Sequence, residues 1–322
     1  MELKGKRVLV TGGSGFIGSH LIDRLFLEGA AVVSLCRGQT AANFWVLKDN
    51  PNVKHVNGAV RDRNKLAEAL EGVEIVFHLA AFTNVRGGIE RPILDFQDTA
   101  MGTVELLQAM ADRNIKHLVF LSAGRVYGNP QYVPVDEQHP LNPLEPYGLS
   151  KYTSELWCRY YEKNFGIQPI IMRLFSTYGE RQLPKKNSTT NVVSIFAARL
   201  LNNEDIFIYG NGSLLRDFIY INDLINIIVR SVARDLWGEV FNVASGRTVT
   251  MRRLAETMVD MIHPANAKIV YKEPIKGDVS LYPDISRLKE KANYKEFVPL
   301  ETGLQNYINW LSKIQVLKGA VN

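Results

Sequence analysis

The sequence has few cysteines and no long hydrophobic run, and these absences exclude several classes of protein. Its 322 residues include two cysteines, Cys36 and Cys158, whose spacing is not that of metal ligands, so we predict no metal site. A cysteine-poor chain suits a reducing compartment, and we predict a cytoplasmic location. No apolar run reaches the roughly 20 residues that a membrane span requires, and nothing near the N-terminus resembles a signal peptide, so we predict no membrane partner.

The net charge is modest, which argues against a nucleic-acid partner. The formal charge at pH 7 is +5, whereas nucleic-acid binding requires a dense basic stripe. The segment with Arg181, Lys185 and Lys186 comes closest, and we interpret it as solvated surface.

The apolar fraction of 46% is sufficient for a sizeable core, and the length suits one large α/β domain with a smaller lobe, or two domains.

The most informative stretch is a strand, a glycine turn and a helix near the N-terminus. Residues 7–10 predict a buried strand, and apolar residues recur at helical spacing from Phe16 up to Gly29. This order places backbone N–H groups and a helix N-terminus around a pyrophosphate. Three spaced glycines alone also occur in ordinary loops. With the strand before them and the helix after them, we predict a dinucleotide site at Gly12, Gly15, Phe16, Ile17 and Gly18.

The second strand ends without the acidic residue that an NAD site usually has. Residues 31–35 predict this strand, and Cys36 and Arg37 follow it. An NAD site commonly places an acidic residue here, bonded to the ribose 2′-hydroxyl. Cys36 is a weak acceptor, whereas Arg37 can pair with a 2′-phosphate. The pattern favours NADP over NAD as the cofactor, and the alternative is that Arg37 is a surface residue at a strand end.

Strands and helices alternate along the following hundred residues. Residues 53–56, 74–81 and 117–122 predict strands, and residues 62–70 and 92–114 predict helices. This alternation is typical of an α/β fold with a doubly wound parallel sheet. The small residues after His78 allow a cofactor to lie against the backbone, and we interpret His78 itself as a packed strand-end residue.

A tyrosine and a lysine follow the fifth strand at helical spacing. Tyr147 and Lys151 lie four residues apart, so both side chains reach the same pocket. A nearby ammonium group favours the phenolate and lowers the pKa of a tyrosine from about 10. Such a tyrosine can exchange a proton with a sugar hydroxyl group while a hydride moves to a nicotinamide. The pair is weak evidence alone, and its position after five strands makes it informative.

Taken together, these motifs resemble the extended short-chain dehydrogenase/reductases of the nucleotide-sugar epimerase and dehydratase type, such as UDP-glucose 4-epimerases. The matching segments span nearly the whole chain, at residues 11–18, 78–81, 126–128, 147–151, 216–220 and 241–246. The resemblance implies a Rossmann domain at residues 1–175, with residues 213–245 packing back onto it. Residues 176–212 and 246–322 would form a smaller C-terminal α/β lobe that binds a nucleotide-diphosphate sugar.

The resemblance also implies roles for particular residues. Tyr147 would transfer the proton, supported by Lys151 and with Ser122 as a candidate polar helper. Besides the glycine turn, Arg37, Tyr147 and Lys151, the implied cofactor contacts are Val60, Leu79, Ala80, Ala81, Thr99 and Leu174. The implied substrate contacts are Ser176, Asn191, Tyr209, Arg216 and Asp278.

Two of these substrate contacts have a defined task in the family. Tyr209 corresponds to an aromatic residue beside the nucleotide base, and Arg216 to an arginine that clamps the diphosphate, a task suited to its fork of donors. A helix-start asparagine and a loop aspartate are equally open interpretations of Asn191 and Asp278.

The resemblance further implies a homodimer. The helices predicted at 92–114 and 145–165 occupy the places where this family pairs two helices of each subunit in a four-helix bundle. The alternative is that their apolar side chains pack only within the subunit. These side chains are Leu94, Met101, Leu106, Leu156, Trp157 and Tyr161.

The sequence departs from the family pattern on the substrate side. The family usually has a serine or threonine where this chain has Ala123, and because faces alternate along a strand, Ser122 does not simply replace it. Gly124 and Arg125 stand where dehydratases carry acidic residues. We therefore predict 4-epimerisation through a transient 4-keto sugar. The alternatives are an NADPH-dependent 4-keto-sugar reductase, a dehydratase or decarboxylase, and a dinucleotide-binding protein without turnover.

Overall fold

The computed structural model describes residues 1–37, 53–82, 85–184, 191–275 and 279–319. Lys185, Lys186 and Asp278 lie outside these ranges. The first half of the chain supplies six strands of one parallel sheet, in the order β6-β5-β4-β1-β2-β3. These strands are β1 (Arg7–Thr11), β2 (Ala31–Cys36), β3 (Val53–Asn57), β4 (Ile75–His78), β5 (His117–Ala123) and β6 (Gln168–Leu174).

The strand order reverses at β1, and this reversal determines where a ligand cleft forms. The chain runs outward from β1 to β3, then crosses back to β4 on the other side of β1. A crevice forms outside the carboxyl ends of the strands at such a switch point. The arrangement confirms the predicted doubly wound parallel sheet.

Helices on both faces explain why the strands are apolar throughout. Val8, Leu9 and Val10 are all fully buried, as expected where both faces of a parallel sheet are covered. The helix α1 (Phe16–Leu27) follows β1, and α2 (Arg63–Ala69) follows β3. Asp62 caps α2, as its Oδ1 accepts hydrogen bonds from the N–H groups of the second and third helical residues at 3.1 Å.

The region predicted as one helix at 92–114 is interrupted. The structure has α3 (Val85–Glu90), α4 (Pro92–Phe96), a π-helical turn at Gln97–Met101, and α5 (Gly102–Asp112). The carbonyl oxygen of Thr99 accepts a hydrogen bond from Thr103 Oγ1 at 2.7 Å inside this wider turn. The chain is thus helical from Pro92 to Asp112, as predicted, and the π-helical turn inside this stretch was not predicted.

The longest helix of the first half carries the Tyr147–Lys151 pair. This helix, α6 (Pro146–Phe165), begins with proline at its first position and ends at Gly166, whose φ of 67° is a left-handed cap. Glu145 is its N-cap residue. Proline at the start and glycine at the end define both helix boundaries locally.

The second half of the chain extends the first sheet and adds two small ones. Its strands are β7 (Ser176–Tyr178), β8 (Ile206–Tyr209), β9 (Leu215–Tyr220), β10 (Val240–Val243), β11 (Thr248–Thr250) and β12 (Ile269–Lys272). The strand β10 pairs with β6 as the seventh parallel strand of the large sheet. The order β11-β9-β7 forms a second sheet, and β12 pairs with β8 in a third.

Helices complete this half and cover the small sheets. They are α7 (Val192–Leu201), α8 (Ile221–Ala233), α9 (Met251–Ile262), α10 (Ser286–Lys291) and α11 (Leu300–Gly319). One of them, α8, packs against α1 of the first half. The domain boundaries given above stay a prediction.

The two cysteines and the helix lengths complete the description of the fold. Cys36 and Cys158 are both free and buried. None of the helices within the described ranges is long and apolar enough to cross a membrane. The cytoplasmic location stays a prediction.

Candidate active site

A continuous cleft of about 1940 Å³ lies at the carboxyl ends of the parallel strands. Every predicted site residue that the structure describes lines this cleft, except Thr99. The structure thus brings the predicted residues together, while their individual roles stay predictions. They are Gly12, Gly15, Phe16, Ile17, Gly18, Arg37, Val60, Leu79, Ala80, Ala81, Ser122, Tyr147, Lys151, Leu174, Ser176, Asn191, Tyr209 and Arg216.

The glycine turn has the shape that a pyrophosphate requires. Gly12 has a φ of +72°, and a Cβ atom there would lie 3.0 Å from the backbone nitrogen of Ala80. A Cβ atom at Gly18 would collide with the carbonyl oxygen of Gly12. Gly15 is the N-cap residue of α1, whose first turn lines the cleft with unpaired N–H groups and a positive dipole end. These residues fit a dinucleotide, because no side chain would separate the backbone from the phosphates of a bound dinucleotide.

The hydroxyl group of Thr11 ties the ends of β1 and β4 together. It accepts hydrogen bonds from the N–H groups of Leu79 and Ala80, each at 3.2 Å, and lies 2.7 Å from His78 Nδ1. The Nε2 atom of His78 lies 3.0 Å from Thr103 Oγ1. Burial lowers the pKa of His78 to about 3, so the ring is neutral. These contacts agree with the interpretation of His78 as a packed residue.

Thr99 lies behind the wall of the cleft. It is fully buried, and its hydroxyl oxygen accepts a hydrogen bond from the N–H group of Phe82 at 3.0 Å. Thr99 thereby supports the segment that follows β4. This position does not support the predicted contact between Thr99 and the cofactor.

Arg37 belongs to a cluster of three charged residues in the cleft. Its Nη1 atom lies 2.9 Å from Asp98 Oδ2, and Arg61 Nε lies 3.3 Å from Asp98 Oδ1. The side chain of Asp98 is only 8% exposed, while both arginines are substantially exposed. Sequence reasoning identified Arg37 alone, because Arg37 and Asp98 are 61 positions apart and no spacing links them.

Tyr147 and Lys151 lie on the same side of α6, facing the end of β5. The Nζ atom of Lys151 donates a hydrogen bond to the carbonyl oxygen of Leu121 at 2.6 Å. It lies 4.8 Å from the centre of the Phe120 ring and 5.9 Å from the centre of the Tyr147 ring. The ammonium group is therefore anchored to the sheet beside the tyrosine.

The surroundings of Tyr147 and Lys151 shift the pKa values of both side chains. Burial lowers the pKa of Lys151 to about 8. Burial also raises the pKa of Tyr147, the carboxylates of Glu145 and Asp95 raise it further, and Arg125 opposes them. The direction for Tyr147 is opposite to the one predicted from Lys151 alone, because burial penalises the charged phenolate.

The predicted helper Ser122 is engaged in a buried polar network. Its hydroxyl group donates a hydrogen bond to Glu155 Oε1 at 2.5 Å, and Glu155 Oε2 lies 2.7 Å from Arg173 Nη2. Both ionic side chains are 6% exposed. The network fixes α6 on the strands beneath it. Ser122 and Ala123 both line the cleft, but the hydroxyl group of Ser122 is engaged with Glu155, and its catalytic role stays a prediction.

The opposite wall of the cleft carries the predicted substrate contacts. Ser176 begins β7, and Asn191 is the N-cap residue of α7. Tyr209 ends β8 with its side chain 44% exposed. Arg216 lies on β9, and its Nη1 atom donates a hydrogen bond to the carbonyl oxygen of Leu215 at 3.1 Å. These four residues line the same cleft as the glycine turn.

Phe207 and Arg199, which the sequence did not single out as site residues, form an aromatic–cationic group with Lys272. The guanidinium carbon of Arg199 lies 4.7 Å from the centre of the Phe207 ring, and Lys272 Nζ lies 4.6 Å from it. Phe207 and Tyr209 are two residues apart on β8 and share one face of the strand. That alternation was a usable signal for Phe207, whereas only strand pairing brings in Lys272 from β12.

The described lining of the cleft carries more positive than negative side chains. The acidic residues are Asp98, Glu145 and Asp217, and the basic ones are Arg37, Arg61, Arg125, Lys151, Arg181, Arg199 and Arg216. Together with the N-terminus of α1, this excess of positive charge attracts ligands that are rich in phosphate.

The fold and this cleft define a dinucleotide-binding α/β protein with a tyrosine–lysine pair at the meeting point of two binding walls. The profile of the NAD dependent epimerase/dehydratase family matches residues 8–244, and the chain belongs to this family. Membership confirms the resemblance to extended short-chain dehydrogenase/reductases. It also confirms the prediction of an enzyme that uses a nicotinamide dinucleotide.

Individual relatives cover nearly the whole chain. A protein of Methanocaldococcus jannaschii, provisionally named a UDP-glucose 4-epimerase, is 36% identical over 308 residues, which is 94% of this chain and 98% of that protein. The crystal structure of a UDP-glucose 4-epimerase from Thermotoga maritima with UDP-glucose is 30% identical, with a TM-score of 0.89 over 96% of this chain and 99% of that one.

Relatives with another activity are nearly as similar. The structure of a dTDP-glucose 4,6-dehydratase from Streptomyces venezuelae with NAD bound is 28% identical, with a TM-score of 0.87 over 97% of this chain and 98% of that one. Overall similarity therefore does not separate epimerases from dehydratases, and the side chains in the cleft must do so.

Proposed function

We propose that the protein is a nucleotide-sugar 4-epimerase that acts through a transient 4-keto sugar. The observation that carries the proposal is that Tyr147 and Lys151 line the same cleft as the glycine turn, Tyr209 and Arg216. A tyrosine in this cleft is within reach of both a dinucleotide and a sugar. The relatives named as epimerases support the same activity.

The residues of the chain have separate tasks in this reaction. A dinucleotide held by the glycine turn supplies reversible hydride chemistry. Tyr147 takes the proton of the sugar 4-hydroxyl group as that carbon is oxidised, and returns it after the keto sugar has turned over. Lys151 supplies positive charge beside the phenol. Arg216 holds the diphosphate, so that the sugar turns while the nucleotide stays bound.

The end of β5 favours epimerisation over dehydration. Elimination of water requires an acid and a base in addition to Tyr147, and Gly124 and Arg125 supply neither at this place. The acid next to Tyr147 along the chain is Glu145, and its Oε1 atom lies 4.0 Å from Arg125 Nε. Burial raises the pKa of Glu145, and Arg125 opposes this shift. Glu145 comes from the start of α6 and not from positions 124 and 125, where dehydratases carry their acidic residues.

The charged cluster around Arg37 favours NADP(H) as the dinucleotide. Asp98 holds the guanidinium groups of Arg37 and Arg61 at 2.9 and 3.3 Å, where both can donate to a 2′-phosphate. A 4-keto-sugar reductase is the second candidate function, since it consumes an exchangeable NADPH.

Dissociation constants of NADPH and NADH test the cofactor proposal. The wild type should bind NADPH about tenfold or more tightly than NADH, because bonds to a charged phosphate are stronger than bonds to a hydroxyl group. Arg37→Ala and Arg61→Ala should each reduce this preference. Equal affinities that neither substitution changes would contradict the proposed preference for NADP(H).

The function itself is tested with a panel of UDP-, GDP-, CDP- and dTDP-sugars. An epimerase interconverts two sugars that differ at C4 with no net consumption of dinucleotide. A reductase consumes NADPH in proportion to a 4-keto sugar, and that result would replace the first proposal with the second. A product lacking one water would contradict both, and the absence of any conversion would support the non-catalytic alternative.

We also propose that two copies of the chain associate through α4, the π-helical turn and α6. Of the residues predicted for this interface, Leu106 and Tyr161 are buried inside the subunit. The interface prediction is wrong for these two, because their side chains pack under the helices. The exposed apolar side chains of these elements are Ile93, Phe96, Met101, Leu149, Leu156, Trp157, Tyr160 and Phe165.

Sedimentation at micromolar concentration tests the dimer. The wild type should sediment as a dimer, and Ile93→Lys and Trp157→Lys should each shift it towards monomer. Leu27→Lys is the matched control, because Leu27 is 78% exposed on α1, away from this surface. A monomeric wild type would rule out the dimer.

A further inference from the structure

Residues 179–184, here called the rim segment, lie between two predicted substrate contacts along the chain. Ser176 begins β7 before the segment, and Asn191 is the N-cap residue of α7 after it. Four residues of the rim segment line the cleft, and they are Arg181, Gln182, Leu183 and Pro184. The position of the rim segment therefore contributes to the shape of the cleft between these substrate contacts.

Two side chains of α1 hold the rim segment. The Nη2 atom of Arg181 donates a hydrogen bond to Asp23 Oδ2 at 2.6 Å, and His20 Nε2 lies 2.9 Å from the carbonyl oxygen of Glu180. Because a carbonyl oxygen only accepts, His20 Nε2 is the donor. The side chain of Arg181 is only 19% exposed, so the interpretation of this residue as solvated surface is wrong.

The helix that carries these two side chains begins at the glycine turn. Its first residues, Phe16, Ile17 and Gly18, line the cleft where the dinucleotide is proposed to bind. The rings of Phe16 and His20 meet edge to face, with their centres 5.9 Å apart. A series of direct contacts thus runs from the dinucleotide side of the cleft through His20 to the rim segment.

The backbone of the rim segment is held in a strained conformation. Arg181 has a φ of +65°, in the left-handed region that residues other than glycine rarely adopt, and such a conformation persists where surrounding contacts impose it. Gln182 Nε2 donates to the carbonyl oxygen of Thr177 at 3.0 Å, and the hydroxyl group of Tyr307 on α11 donates to the carbonyl oxygen of Gln182 at 2.7 Å. These contacts fix the rim segment to its own half of the chain, and the two side chains of α1 fix it to the dinucleotide half as well.

We propose that His20 and Asp23 are positioning residues that couple dinucleotide binding to nucleotide-sugar binding, because they fix the rim segment to the helix that begins at the glycine turn. The proposal rests on the proposed function for the identity of the two ligands. A dinucleotide on the first turn of α1 and a nucleotide diphosphate beside the rim segment then stabilise the same arrangement. By linkage, each ligand raises the affinity for the other by the same factor.

Calorimetric titration measures this coupling without any turnover. The dissociation constant of UDP, or of the one among GDP, CDP and dTDP that binds most tightly, is determined with and without saturating oxidised dinucleotide. In the wild type the dinucleotide should tighten this binding by about fivefold or more. Asp23→Ala removes the acceptor for Arg181, and His20→Phe keeps a ring against Phe16 but removes the donor. Each should bring the ratio of the two constants close to one.

Two further variants separate this contact from the general stability of α1. Asp23→Glu keeps a carboxylate and should retain most of the wild-type ratio. Glu28→Ala is the matched control, since it removes a carboxylate of α1 that pairs with Arg24 at 2.7 Å, and it should leave the ratio unchanged. Because Asp23 is 40% exposed, Asp23→Ala should fold even if His20→Phe does not.

Hydrogen exchange follows the rim segment directly. In the wild type, saturating dinucleotide should slow the exchange of the backbone amides in residues 179–184. In Asp23→Ala the dinucleotide should leave this exchange nearly unchanged, because the segment is no longer held by α1 through Arg181. Glu28→Ala should behave as the wild type does.

Loss of the ratio in Asp23→Ala, with the ratio retained in Asp23→Glu and Glu28→Ala, would support the proposal. A wild-type ratio of one, an unchanged ratio in Asp23→Ala, or an equal loss in Glu28→Ala would overturn it. A protein that shows the coupling but converts no sugar of the panel would contradict the proposed function alone. A protein that epimerises a sugar without the coupling would contradict this proposal alone.

Discussion

The two walls of the cleft are built from different parts of the chain. On the dinucleotide wall, backbone atoms form the surface, and Gly12 and Gly18 have no room for a Cβ atom. On the opposite wall, side chains form the surface, with Tyr209 44% exposed and Phe207 flanked by two cations. A wall of backbone accepts the one shape common to all dinucleotides, whereas a wall of side chains can be adapted to a particular nucleotide sugar.

The largest expected effect lies where the two walls meet. Tyr147→Phe keeps the ring and removes the proton carrier, so turnover on any reactive sugar should fall by about 10²–10⁴-fold. The dissociation constant of the dinucleotide should stay nearly the same, because the backbone wall is untouched. A variant that turns over as fast as the wild type would remove Tyr147 from the chemistry.

The next effect concerns the support beneath the dinucleotide wall. Arg173→Met leaves the buried carboxylate of Glu155 without its partner at 2.7 Å, and the free energy of unfolding should fall by about 3–5 kcal/mol. Urea denaturation measures this change. Arg63→Met, which breaks an exposed pair with Glu105, should have little effect. Equal losses in the two variants would show that the buried network has no special importance.

A smaller effect is expected within the glycine turn itself. In Gly18→Ala the new methyl group collides with the carbonyl oxygen of Gly12, and overpacking of this kind costs about 1–3 kcal/mol of stability. Dinucleotide affinity should fall as well, because the turn must shift. Gly102→Ala is the matched control, since the nearest atom to its Cβ would lie at 3.8 Å. Thermal unfolding with and without dinucleotide measures both losses. A Gly18→Ala variant that is as stable as the wild type and is stabilised equally by dinucleotide would show that the turn tolerates a methyl group.

The smallest effect is expected on the side-chain wall. Tyr209→Ala removes the exposed ring at the end of β8, and binding of UDP should weaken about tenfold, since base stacking on an aromatic ring is worth about 1–3 kcal/mol. Tyr209→Phe should retain most of the affinity. Neither variant should alter dinucleotide binding or stability. An equal loss of dinucleotide affinity would mean that the two walls do not act separately.

The contrast between the backbone wall and the side-chain wall also explains which parts of the site could be predicted from the sequence. Gly12, Gly15 and Gly18 were identifiable because a turn, its preceding strand and its following helix are contiguous. The cap at Asp62 was local in the same way. Phe207 carried a weaker local signal, and the contact of Lys272 with it depends on the pairing of β12 with β8, which no spacing along the chain indicates.

One prediction was wrong because it considered a single contact, and another stays untested. The pKa of Tyr147 was predicted from Lys151, one helical turn away, whereas burial and the carboxylates of Glu145 and Asp95 reverse the direction. Ser122 was selected for its hydroxyl group, which donates a hydrogen bond to Glu155, and its catalytic role stays a prediction. Both outcomes depend on residues from several elements, which no spacing in the chain reports.

The parallel sheet, the glycine turn and the placement of Tyr147 and Lys151 on one helix face could be predicted from the sequence. Periodicity, glycine positions and a four-residue spacing are local properties that act on neighbouring residues of the chain. The contacts of Asp98 with Arg37 and Arg61, and of Arg125 with Glu145, depend instead on how distant segments pack. The physical reason is that charges act through space over several ångströms, so their partners are set by packing rather than by order along the chain.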